Sequence, residues 1–160
     1  MSAYEVDWAG RLIVDARTVG MIAALNTRLN KDIDYSDDIV RGKVDDLRVP
    51  VGVKMTDDCD GYAWRKMYEL QELVGLPPEC LRPVLCYVPV SGEPIFENEV
   101  NHCVLAVVTI SEDGQRTYIL DNMRGSVLQW PEIKDVRWVM RLEPDGWRYV
   151  KREDVAFEQR

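Results

Sequence analysis

Apolar residues in this chain follow two different periods, one in each half. From Thr18 to Asn30, Val19, Ile22, Ala23, Leu25 and Leu29 recur at three- and four-residue spacing, which predicts a helix with one buried face. The same spacing returns from Cys59 to Val74, where Ala63, Met67, Leu70 and Val74 define the buried stripe. Asp57 or Asp58 can cap that second helix, and Gly75 followed by Leu76-Pro77-Pro78 ends it. Between the helices, Asn30 to Arg48 is polar and rich in aspartate and predicts irregular structure. Val49-Pro50-Val51-Gly52 predicts a turn or an extended passage, because proline fixes one dihedral and glycine frees another.

The second half reads as strands. Leu81 to Val88 is β-rich and broken by Pro83 and Pro89, and Ser91 to Val100 is a polar loop. Cys103 to Ile110 is nearly all apolar and β-branched, which predicts a central strand buried on both faces. Asp113-Gly114 signals a hairpin turn, with Arg116 to Asp121 as the returning strand. In that hairpin, positions summing to about 227 should face each other. Val127 to Trp130, Arg137 to Leu142 and Trp147 to Val150 add further strands, the last after an Asp145-Gly146 turn. Helices first and strands later predict an α+β fold with a mostly antiparallel sheet. A length of 160 residues predicts a single domain over residues 1–160.

Charge narrows the partners. With 28 acidic against 20 basic residues, the formal net charge is −8, which disfavours nucleic acid and anionic membranes. No apolar run approaches the ~20 residues that span a bilayer. The segment Met1 to Asp7 lacks a basic stretch followed by an apolar core, so a cytoplasmic protein is expected, periplasmic only if a leader has been removed. Cys59, Cys80, Cys86 and Cys103 form no C-x-x-C pair, and only one histidine is present, which argues against a structural zinc site. Cys80, Cys86 and Cys103 are expected as small buried hydrophobes.

Cys59 is different. It stands at a predicted helix start, where unpaired N–H groups and the helix dipole stabilise a thiolate. Asp57, Asp58 and Asp60 crowd it with carboxylates, which oppose that effect. The only histidine, His102, opens the central strand, and Asp121 closes its partner strand. Each has a plain structural reading: a packing cysteine, a structural histidine, a turn aspartate. Together, in the order Cys, His, Asp, they are the parts of a thiol hydrolase. The Cys59 N–H is a candidate oxyanion donor, and Asn98, Asn101 and the polar segment before Cys59 are candidates for a second.

These segments resemble the bacterial transglutaminase-like cysteine peptidases. The run Asp58-Cys59-Asp60-Gly61-Tyr62-Ala63 is similar to that family's Asp-Cys-Glu-Asp-Tyr-Ala pattern at a helix start. His102-Cys103-Val104-Leu105-Ala106-Val107 and Leu120-Asp121-Asn122 resemble its histidine and aspartate motifs, and Asn26, Asn30 and Pro50 match upstream features. The resemblance runs from about Thr18 to Arg141. It implies a papain/transglutaminase-like core with Cys59 as nucleophile, His102 as general acid/base and Asp121 as the orienting carboxylate. It implies cleavage of a peptide bond in a protein or peptide substrate through a thioester, with no cofactor required. Acyl transfer by the same residues is the alternative, and a non-enzymatic binding or virion-structural module that kept the fold is another. Relatives that bind calcium do so through acidic residues around the cysteine, which makes Asp58 and Asp60 candidate ligands. Gly61 replaces one acid of the family pattern, so weaker calcium binding is expected. A cytoplasmic or phage-encoded relative fits the absence of a leader.

Overall fold

The computed structural model describes residues 4–32, 59–89, 99–100, 102–121, 124 and 126–159. Of the predicted irregular stretch from Asn30, residues 30–32 are instead the last of a helix; residues 33–48, the turn at Val49 to Gly52 and the caps Asp57 and Asp58 lie outside these residues, as do 91–98 of the polar loop.

The first helix, α1, spans Ala16–Asp32, two residues longer at each end than its apolar period predicts. Asp15 explains the early start, since its Oδ1 accepts from the Thr18 amide at 2.9 Å and the Thr18 hydroxyl at 3.0 Å. The second, α2, covers Cys59–Glu69 and continues as a single wide turn over Leu70–Val74. Gly75 stops it at φ 88°, and the Leu70 carbonyl accepts from both Gly75 and Leu76.

The strands are β1 (Leu12–Ile13), β2 (Leu81–Tyr87), β3 (His102–Ser111), β4 (Gly114–Leu120), β5 (Leu128–Gln129), β6 (Arg137–Glu143) and β7 (Gly146–Tyr149). They form one sheet in the order β5-β4-β3-β2-β6-β7, with β1 added beside the far end of β3. Among the described residues, only the β1–β3 pairing is parallel. This is the expected α+β arrangement. A short helix, α3 (Arg152–Ala156), follows the last strand.

Side chains of β3 alternate between two cores, as the pleat requires. Cys103, Leu105 and Val107 join Ile22 of α1 and Ala63 and Leu70 of α2 on one face. Val104 and Ala106 meet Trp130, Ile133 and Val84 on the other. β3 is therefore buried on both faces, and α2 packs along it.

Two expectations need correction. Pro83 does not break its strand; β2 runs through it, pairing Pro83 with Leu105. The ladder to β6 begins only at Val84, so the missing proline N–H falls outside that pairing. The β3–β4 register also differs: pairs run from Ser111↔Gly114 to Leu105↔Leu120, summing to 225 rather than 227. Gly114, at φ 103°, ends the turn instead of sitting at its centre.

Candidate active site

The β3–β4 register decides the main feature of this end of the sheet. Continued by one step, it sets Asp121 opposite position 104, two residues from His102. Side chains two positions apart on neighbouring strands meet diagonally. His102 Nε2 lies 2.7 Å from Asp121 Oδ1, with no bulge in the hairpin. A carboxylate only accepts, so Nε2 donates and the carboxylate selects that tautomer. Both groups are buried, His102 to 2 % exposure and Asp121 to 4 %.

Asp121 is held from several sides. Asn30 of α1 donates from Nδ2 to the carbonyls of Asp121 (3.1 Å) and Arg124 (3.2 Å). The Arg124 amide turns back to the Asp121 carbonyl, and Arg124 Nε stands 3.6 Å from Asp121 Oδ2. Arg124 also ties to the exposed Asp135 at 2.6 Å. Asn26, one helical turn before Asn30, is buried, and neither of its amide atoms has a hydrogen-bond partner.

Cys59 is the first residue of α2, as its predicted place at a helix start requires. Its side chain and that of Asp60 lie outside what the structure describes, and Asp58, Asn98 and Asn101 lie outside the described residues altogether. The structure thus brings together His102 and Asp121, and its described side chains do not extend to Cys59. Cys80, Cys86 and Cys103 are buried, as expected of packing residues. Burial pushes the Cys80 thiol up to about 12, which keeps it protonated and inert.

Lys66 was not singled out in the sequence. It lies between Ala63 and Leu70 on α2, fully buried, and its amine has no hydrogen-bond partner. Burial pulls that amine down to about 8, while the negative charge of Asp121 acts to raise it. The available signal was its place on the stripe: residue 66 is three past Ala63 and four before Leu70. Among the described residues, no group of three or more His, Cys, Asp or Glu side chains gathers as a metal site. No helix among them is long and apolar enough to cross a membrane.

Helices packed on an antiparallel sheet, one helix beginning on a cysteine and the sheet's central hairpin ending in a buried histidine–carboxylate pair, define a papain/transglutaminase-like α+β protein. Residues 4–154 match the family model described as bacterial transglutaminase-like cysteine proteinase (BTLCP). The chain belongs to that family and is a cysteine peptidase, so its substrate is a protein. Solved structures agree on the fold. Legionella pneumophila LapG, EGTA-treated, aligns with a TM-score of 0.54 at 19% identity, over 87% of this chain and 69% of its own. Calcium-bound LapG from the same organism aligns at 0.50 and 17% identity, over 84% of this chain and 75% of its own. No curated protein sequence matches the chain.

Proposed function

We propose that the protein cleaves a peptide bond with Cys59 as nucleophile, His102 as general acid/base and Asp121 as the carboxylate that orients it. The buried 2.7 Å bond between His102 Nε2 and Asp121 Oδ1 carries this reading. With Nε2 committed to the carboxylate, Nδ1 is the ring nitrogen that exchanges a proton with sulfur. The helix start at Cys59 favours the thiolate, and the imidazolium beside it completes an ion pair. The sulfur attacks the scissile carbonyl carbon. The C–N bond then breaks as the imidazolium gives its proton to the departing amine, leaving a thioester. Water attacks that thioester and gives a proton to the imidazole. The acid leaves and the thiolate–imidazolium pair returns. The Cys59 backbone N–H is the proposed donor to the oxyanion.

The test is digestion of a mixed peptide library, with new termini read by mass spectrometry. The parent protein should generate them and Cys59→Ala should not. Iodoacetamide at pH 6 should label Cys59 far faster than Cys80, Cys86 and Cys103. Cleavage that survives Cys59→Ala, or equal labelling of all four thiols, overturns the assignment. Products carrying a new amide to an added amine would instead favour acyl transfer.

Calcium enters through Asp58 and Asp60, which flank Cys59, and through the calcium-bound state of a fold neighbour. The ion takes about six to eight oxygen ligands, so two carboxylates need carbonyls and water to complete the shell. That donor set fits weak binding. Millimolar calcium should raise the melting temperature, and Asp60→Asn should remove the rise; no rise in the parent protein counts against a site.

A further inference from the structure

The face of the sheet turned away from α1 and α2 carries a cavity of about 1140 Å³ that the chemistry above does not use. Its floor is apolar. Trp130 and Ile133 are buried there, and Val136, Trp138, Val150 and Val155 pack against them partly buried. Its rim is cationic: Lys134, Arg137, Lys151 and Arg152 line it and are exposed, and among the described residues no acid lines it. None of these four cations makes an ion pair among the described residues, whereas Arg11, Arg82, Arg124, Arg141 and Arg148 all do. Two acids close to the rim in sequence are engaged otherwise. Asp135 takes Arg124 at 2.6 Å, and Asp154 accepts from the Lys151 amide at 2.8 Å. In a chain of net charge −8, this rim reverses the local sign. A cleft lined by one sign of charge over low-dielectric walls focuses its field and draws the opposite charge. Strand β6 brings the cavity to the end of the sheet that holds His102. Trp138 pairs with Cys86 of β2, and Cys86 with His102. Two strand spacings of ~4.8 Å put Trp138 roughly 10 Å from His102 across the sheet. An extended peptide covers that span in about three residues.

We infer that this cavity is an exosite for an acidic segment of the protein substrate, with substrate carboxylates on the Lys134, Arg137, Lys151 and Arg152 rim and apolar side chains on the Trp130–Trp138 floor. The four cations come from three stretches of chain: the turn after β5, the start of β6, and the junction of β7 with α3. That spread suits several carboxylates carried along a peptide better than one compact anion. The volume points the same way, since pockets for single small molecules run to about 300–1,000 Å³. A nucleic acid would meet the repulsion of the whole negative chain, and a flat anionic bilayer could not reach a concave floor. The segment would begin about three residues from the scissile bond, at the span derived above. Such a site holds the substrate without touching the reacting atoms. The inference rests on the peptidase reading for the identity of the occupant; the binding itself does not depend on the triad.

The experiment titrates a fluorescein-labelled peptide, Glu-Glu-Leu-Glu-Glu-Leu-Glu-Glu, with the full chain carrying Cys59→Ala, and reads fluorescence anisotropy. Cleavage then plays no part. The peptide should bind, and Lys151→Glu with Arg152→Glu should weaken binding about tenfold or more. Lys134→Glu with Arg137→Glu should do the same. Ala156 lines the cavity and is exposed, so Ala156→Trp should block binding with every charge in place. Arg17→Glu with Lys31→Glu, exposed on α1, makes the same change in net charge and should leave binding intact. Absence of binding, binding that survives both the rim reversals and Ala156→Trp, or an equal loss in the α1 pair overturns the inference. ATP that displaces the peptide with the peptide's own affinity would give the cavity to a small aromatic anion and overturn it too. Cleavage that survives Cys59→Ala would remove the proposed nucleophile and leave this binding result standing, so the two failures are read separately.

Discussion

Among the described residues, two of the regions that bury charge complete it to different degrees. At one end of β2, every nitrogen of the Arg82 guanidinium is used: Nε to the Glu79 carbonyl at 3.1 Å, Nη1 to Glu143 at 2.7 Å, Nη2 to the Ala9 carbonyl at 2.9 Å. Arg141 adds bonds of 2.6 and 2.8 Å to the same Glu143 carboxylate and lays its guanidinium 5.0 Å from the Trp130 ring. At the other end, Asp121 holds His102 closely and Arg124 loosely, and the Lys66 amine has no hydrogen bond at all. The first cluster locks β2, β6 and the N-terminal loop together. The second leaves the Lys66 amine without a hydrogen bond, as the first leaves only Nη1 of Arg141. Unsatisfied buried groups cost stability, so they persist where something other than stability selects them.

Substitutions on either side test that contrast. Asp121→Asn should have the largest effect. By removing the carboxylate that selects the His102 tautomer, it should lower kcat/KM about 10⁴-fold in the protein that remains folded. A variant near parental activity would erase the distinction. On the structural side, Glu143→Gln should cost about 3–5 kcal/mol of unfolding free energy in urea, because two guanidinium groups stay buried without their anion. Its Cys59 labelling rate should remain parental while it is folded.

Lys66→Met should act in the opposite direction, raising the unfolding free energy by about 2 kcal/mol at pH 7. The sign follows from the depressed amine. In the unfolded chain Lys66 takes its proton near its ordinary 10.5, in the native state only near 8. Stability present above pH 10.5 is thus lost as the pH falls to about 8, and the neutral protein carries that loss. A destabilised but active Lys66→Met would place Lys66 with Arg82 among the structural charges. The smallest effect concerns Cys80. With its thiol pushed to about 12 from the ordinary 9.0, its stabilising contribution is full below pH 9 and fades between 9 and 12. Native protein at pH 8 should therefore show no carboxymethylation at Cys80, and urea should expose it.

Local pattern revealed much of this architecture. The period of Ala63, Leu70 and Val74 placed α2, and the unbroken apolar run after His102 placed the central strand. Those signals are short-range, because they arise from which face of one element must leave water. Pro83 misled because a break rule written for isolated strands ignores where the neighbouring ladder begins. Lys66 stayed hidden because a lysine beside an apolar stripe usually reaches solvent, and only the packing of α2 on β3 closes that exit.

The sequence by itself determined that a cysteine opens a helix, that a histidine opens the central strand and that an aspartate ends its partner, since each follows from neighbours a few residues away. Tertiary structure alone decided that Asp121 bonds His102 at 2.7 Å and that Lys66 is fully buried. Both depend on the hairpin register and on the docking of a helix, which are set by contacts between distant segments. The physical reason is that hydrogen bonds and the cost of burying charge depend on position in space to within an ångström or so, and no local pattern of residues fixes distance at that scale.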